Sequence, residues 1–174
     1  MGPDGTGTIN ILAATMFEWS AGTTLSLSAD GSLDLKDGVQ FKMHHENGGL
    51  QIDGGASLTL KNLTIDGSGG NISIRATSPN SMVGGPGVNA DGLTINNSGT
   101  ITISAVAEDG GLVLQNTQLT ATGTGAISLS VTQENSVNPG AAALSGDLSA
   151  SVVDGNLSLS GQGTDSHKGT DLKN

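Results

Sequence analysis

Sixteen acidic residues, three histidines and six lysines or arginines carry whatever acid–base or metal chemistry this 174-residue chain holds; it has no cysteine and no tyrosine. Hydrolysis of a glycosidic bond needs two carboxylates at a set separation across a groove. Asp53, Asp66 and Asp91 could line one edge of a repeating structure, with Asp34 and Asp37 nearby. Asp66-Gly67 and Asp91-Gly92 are also the ordinary residue pair of a tight turn, which is the plainer reading. Lyase chemistry asks for a base to abstract a proton, and Arg75 is the only arginine. Aromatic rings on which a sugar could stack are scarce.

His44-His45-Glu46 is the one dense cluster. A metal needs three or four ligands around one point. Neighbouring residues on a strand face opposite ways, so His44 and His45 do not converge, and a solvated loop running into Asn47-Gly48-Gly49 accounts for them. His167 falls in a polar C-terminal run and carries no functional weight. The nine-residue calcium repeat needs Gly-Gly-x-Gly-x-Asp in register. Residues 48–53 lack its third glycine, and Gly69-Gly70-Asn71 lacks its aspartate. A flat threonine face built from Thr59, Thr64, Thr94, Thr102 and Thr120 would need strict spacing, which serine and alanine interrupt. No catalytic, cofactor-binding or metal-binding residue is assigned, no cofactor is expected, and the chain is read as not an enzyme.

The elements that carry these residues repeat. Leu63-Thr64-Ile65, Leu93-Thr94-Ile95, Leu119-Thr120-Ala121 and Leu148-Ser149-Ala150 each lead through a Gly/Asn/Asp corner to a second triplet: Ile72-Ser73-Ile74, Ile101-Thr102-Ile103, Ile127-Ser128-Leu129 and Leu157-Ser158-Leu159. The starts lie 30, 26 and 29 residues apart. Self-similarity at such a period marks a stacked repeat, and alternation of two marks strands. Residues 58–62 and 112–116 add a third strand per unit, and their 54-residue separation equals two periods. The N-terminal third fits more loosely, with Leu25-Ser26-Leu27, Leu33-Asp34-Leu35, Val39-Gln40-Phe41 and Leu50-Gln51-Ile52.

Strands this short form no sheet alone. Each unit must pair with the next in parallel and in register, and each buried aliphatic side chain then contributes about 1.5–3 kcal/mol. The expected fold is therefore all-β, a parallel β-helix (β-solenoid) of about five coils of roughly 26–30 residues. Asp-Gly and Gly-Gly pairs supply its corners. Asn62, Asn96, Asn97, Asn116 and Asn156 lie near strand ends, where asparagines stacked coil over coil form amide ladders. Residues 77–88 and 133–140 should bulge as loops, and residues 9–19 suit a short amphipathic turn or a covering element. The expected organisation is 1–23 N-terminal covering segment, 24–160 repeats and 161–174 flexible tail.

Composition agrees with a narrow core. Three aromatics and a 34% hydrophobic share cannot fill a rounded globule, whereas stacked aliphatic rows need no bulky fillers. The net charge of −10 argues against nucleic-acid partners. No stretch approaches the roughly 18 apolar residues of a membrane helix. No secretion signal appears, and the abrupt start suggests a piece of something longer. Lack of cysteine suits an extracellular bacterial protein.

Residues 58–67 (Leu-Thr-Leu-Lys-Asn-Leu-Thr-Ile-Asp-Gly) and 99–105 (Gly-Thr-Ile-Thr-Ile-Ser-Ala) resemble the haemagglutinin-type repeats of filamentous haemagglutinin-like secreted bacterial adhesins, the exoproteins of two-partner secretion. The likeness is one of pattern and covers roughly 24–160, without the secretion module of those proteins. It implies a right-handed β-helix and a secreted, cell-surface location. It also implies virulence-related attachment to host cells, other bacteria or biofilm matrix. Its partners would be a surface glycan or protein receptor or a matrix polysaccharide, and the parent would have an outer-membrane secretion partner. Weak end-to-end self-association is expected from exposed coil ends. The alternative is a fragment of a carbohydrate-binding or polysaccharide-degrading β-helix, an enzyme or phage spike.

Overall fold

The computed structural model describes residues 7–77, 87–107, 111–133, 144–162 and 170–173. These residues are all-β, without a helix. In chain order the first strands are β1 (Ile9–Ile11), β2 (Met16–Trp19), β3 (Thr24–Ala29), β4 (Ser32–Leu35), β5 (Gln40–Met43) and β6 (Gly49–Gly54). They continue with β7 (Ser57–Lys61), β8 (Thr64–Gly67), β9 (Ile72–Thr77), β10 (Val88–Asp91), β11 (Thr94–Asn97) and β12 (Ile101–Ala107). The last are β13 (Leu112–Ala121), β14 (Ile127–Gln133), β15 (Leu144–Val152), β16 (Leu157–Gln162) and β17 (Thr170–Lys173).

Every recorded pairing is parallel, as the triplet repeats required. Up to β12 each strand stacks on the one three places earlier; beyond it the step is two, because β13 spans both arms. One six-stranded sheet runs β3-β6-β9-β12-β14-β16, and β1-β4-β7-β10 and β2-β5-β8-β11 form two arms of a second sheet joined through β13. The architecture is solenoid-like. In the six-stranded sheet, column partners Leu25, Leu50, Ile72, Ile101, Ile127 and Leu157 recur at intervals of 25, 22, 29, 26 and 30 residues.

The aliphatic positions of the triplets point inward and stack on their own kind. Ile72, Ile74, Ile101, Ile103, Ile127 and Leu129 are buried to within 1% of fully. The facing arms supply Leu33, Leu58, Val88, Leu112 and Leu144 in one column and Phe41, Ile65, Ile95 and Leu119 in another. One buried side chain in these interior rows is a threonine: Thr117, paired with Leu148, satisfies its hydroxyl on the carbonyl of Gln115 at 3.1 Å.

Two corner columns explain the turn residues. At the first, Ala14, Gly38, Asn62, Gly92 and Asn116 all hold positive φ, and backbone bonds carry the ladder across them. Glycine and asparagine tolerate that conformation best. The expected asparagine-over-asparagine ladder is not what forms here. Asn62 and Asn116 are separated by Gly92 and instead donate to the carboxylates of Asp37 and Asp91 in the preceding rung. Aspartate and asparagine alternate, so no carboxylate stacks on another, and the 54-residue double period is the sequence trace of this alternation. At the second corner, Gly70, Gly99, Gly125 and Gly155 stack so closely that a Cβ on any of them would overlap a glycine carbonyl of the rung before.

Residues 9–19 form β1 and β2 rather than a helical turn, because Ile9 and Ile11, then Phe17 and Trp19, alternate as strand residues do and continue the columns of β4 and β5. The expected loops at 77–88 and 133–140 fall largely on 78–86 and 134–143, outside the described residues. So do residues 163–169, including His167.

Candidate functional site

The chain has three aromatic side chains, and the fold gathers all of them at one place. Alternation along β2 sends Phe17 and Trp19 inward and Met16 and Glu18 outward. Phe17 stacks on Phe41 of the next rung with ring centroids 4.9 Å apart and planes within 8°. The Trp19 indole donates to the carbonyl of Thr23 at 3.3 Å, which fixes its ring against the β2–β3 corner. Beside these rings lies an open groove of about 290 Å³ lined by Phe17, Glu18, Trp19, Thr23, Thr24 and Leu25.

Both described histidines border this corner. His44 follows the buried Met43 and reaches the preceding rung, where its Nε2 lies 2.7 Å from Glu18 Oε1. If Nε2 carries the proton and donates to Glu18, Nδ1 keeps an unprotonated lone pair. His45 turns the other way: its Nδ1 accepts the Asn47 backbone N–H at 3.1 Å, and its ring packs against Gly22. Both imidazoles lie in the bend between β5 and β6, beyond the strand, and each has its own partner there. Among the described residues no group of three or more His, Cys, Asp or Glu could hold a metal ion. The arrangement can stack a flat or ring-shaped molecule on apolar walls and hydrogen-bond its edge.

The carboxylates do not share an edge. Asp53 stands on the six-stranded sheet level with Arg75, Asp66 on an arm between Lys42 and Asn96, and Asp91 at the positive-φ corner with Asp37 two rungs below. Asp34 lies in another column, level with Asn10 and Thr59, and is bridged by Lys36. Asp53, Asp66 and Asp91 therefore do not line one edge, and Asp37 and Asp91 share a column with Lys61 between them. Asn97 is buried to 99%; its amide N–H donates to the Gly70 carbonyl at 2.7 Å, while its Oδ1 has no partner among the described residues. Gly67 beneath it is small because a Cβ there would overlap that oxygen.

The five threonines fall into four columns, and only Thr64 and Thr94 stack directly. Serine builds the regular face instead. On the outer side of the six-stranded sheet, Ser73, Thr102, Ser128 and Ser158 form one column, and Ser104, Ser130 and Ser160 a second beside it. Hydroxyls recur there at the interstrand spacing of about 4.8 Å. Alternation in Ile72-Ser73-Ile74, Ile101-Thr102-Ile103 and Ile127-Ser128-Leu129 already sends these hydroxyls outward; the register that lines them into columns is not legible in the sequence. The sequence reading passed over the aromatic groove, although Phe17 precedes Phe41 by one 24-residue rung and alternation was visible in Met16-Phe17-Glu18-Trp19.

A family model described as Htaa matches residues 3–143. No curated protein and no solved structure matches the chain.

Proposed function

The chain belongs to the Htaa family, and we propose, from its repeating outward surface, that it is a non-catalytic, surface-presenting repeat module of a secreted bacterial cell-surface protein. In this reading the parallel rungs are turns of a right-handed β-helix, about five between residues 24 and 160. Support for the hand is general: connections between parallel strands of one sheet are right-handed in about 98% of cases. The module's work is attachment to a surface glycan, a protein receptor or matrix polysaccharide, as in an adhesin. The observation that carries the proposal is the double hydroxyl column across β12, β14 and β16, an uncharged surface bordered by Ser73 and Arg75 of β9 and suited to hydrogen-bonding a repeating polyhydroxyl partner. Nucleic acid is not a partner in this reading, given the charge of −10. The test is retention of bacterial matrix polysaccharide and whole cells by immobilised protein. Binding that falls at least tenfold in S104K/S130K, with unchanged thermal unfolding, supports the proposal. Binding indifferent to those changes, or absent, removes it.

A second reading has its own observation. The family is associated with heme uptake. Heme as cargo needs a flat apolar wall and a protein atom for the iron. Phe17 and Trp19 offer the wall, and His44, held by Glu18 at the groove's rim, offers Nδ1, the arrangement in which a carboxylate orients a ligating imidazole. With no tyrosine or cysteine in the chain, the remaining described donors are His45, the exposed Met16 and the buried Met43. Titration with hemin decides: a Soret shift lost in both H44A and W19A favours heme capture at this groove, and no shift excludes it.

A further inference from the structure

We propose that this chain associates head to tail with a second copy of itself, the last rung of one molecule pairing in parallel with the first rung of the next. The six-stranded sheet ends on two edges, β3 and β16. Among the described residues β16 pairs only with β14, and β3 only with β6. Inward residues that are fully buried at mid-stack are left open at the upper edge, where Leu157 is 47% and Leu159 44% exposed. Val153, on the adjoining corner, is 64% exposed.

The two edges carry the same sequence. Residues 25–29 read Leu-Ser-Leu-Ser-Ala and residues 157–161 read Leu-Ser-Leu-Ser-Gly. Column by column, Leu157 would meet Leu25, Ser158 Ser26, Leu159 Leu27, Ser160 Ser28 and Gly161 Ala29. The aliphatic and serine pairings are those already made by Ile127 with Leu157, Ser128 with Ser158, Leu129 with Leu159 and Ser130 with Ser160 inside the sheet. The contact therefore continues the rung-to-rung interface that builds the molecule. Volumes on the neighbouring arm also match. The small side chains of Ala150 and Val152 in β15 would lie over Phe17 and Trp19, whose groove opens on that end of the stack. A contact between unlike ends does not close on itself, so association extends into filaments.

One element opposes it. β17 lies on the first half of β15, the place a second copy's β1 would take in this register. One of the two strands must lift, so association is weak and rises with concentration. A second copy seated this way covers the Phe17 and Trp19 groove, so a ligand held there would compete with association, whereas the outward hydroxyl columns stay free.

The test uses the absence of cysteine. Ser26 and Ser158 are exposed, and in register their Cα atoms would sit about 4.8 Å apart, within the span a disulfide bridges. Under mild oxidation, S26C/S158C should give a concentration-dependent ladder of dimers, trimers and higher forms. An equal mixture of S26C and S158C should give one mixed dimer, at least fivefold above either variant alone. Sedimentation of the unoxidised L27K and L159K variants should show monomers separately and dimers when mixed. Self-linked S26C or S158C as the main product would overturn the head-to-tail arrangement, and so would the absence of cross-links from the mixture.

Discussion

At the scale of single residues, this fold is set by a few positions with no room for choice. Gly99 is glycine because carbonyl oxygens of Gly69 and Gly70 occupy the space of a Cβ. A G99A change should cost about 3 kcal/mol, since the stack has to open to accept one methyl group. Gly38 is a different case. Its surroundings are open, with nothing nearer than 3.9 Å to a Cβ, but its φ is +76°. G38A should cost about 1–2 kcal/mol from backbone strain alone. G38N should stay within about 0.5 kcal/mol of the parent, because asparagine already holds this corner in the next rung as Asn62. Chemical denaturation of the three variants checks the order. Equal losses would mean that the two corners do not differ in the way described.

At the scale of the strand, a triplet matters in proportion to the rungs on either side of it. Ile103 of β12 lies between Ile74 and Leu129 and is fully buried. I103A should cost about 2–5 kcal/mol, the usual range for a core truncation that leaves a cavity. Leu159 occupies the same column at the last rung, covered on one side only, and L159A should cost about 1 kcal/mol. Equal losses in thermal unfolding would show that β16 is covered in solution, which the self-association above would itself produce at high concentration. Measurement at low concentration separates the two.

At the scale of the whole molecule, stability should behave as a sum of rungs and their interfaces rather than as one core. Hydrogen exchange should be slowest in β9, β12 and β14, which have partners on both sides, and should quicken toward β1, β2 and β16. Uniform protection from end to end would contradict this and would place the cooperative unit at the length of the whole stack.

Much of the fold is legible in the chain itself. The triplets fix which side chains face inward, because alternation of two leaves one choice of face, and their 26- to 30-residue recurrence requires parallel stacking, because strands so short bury nothing alone. The tertiary structure decided what depends on register. Register brought Phe17, Trp19 and Phe41 to one corner, lined serines rather than threonines into columns, set Asn62 and Asn116 over aspartates, and sent Asp53, Asp66 and Asp91 to separate faces. A single strand carries no mark of the rung it will lie against. Partners 22 to 32 residues away are chosen by how many residues each corner takes up, and that is settled only when the aliphatic rows close on one another.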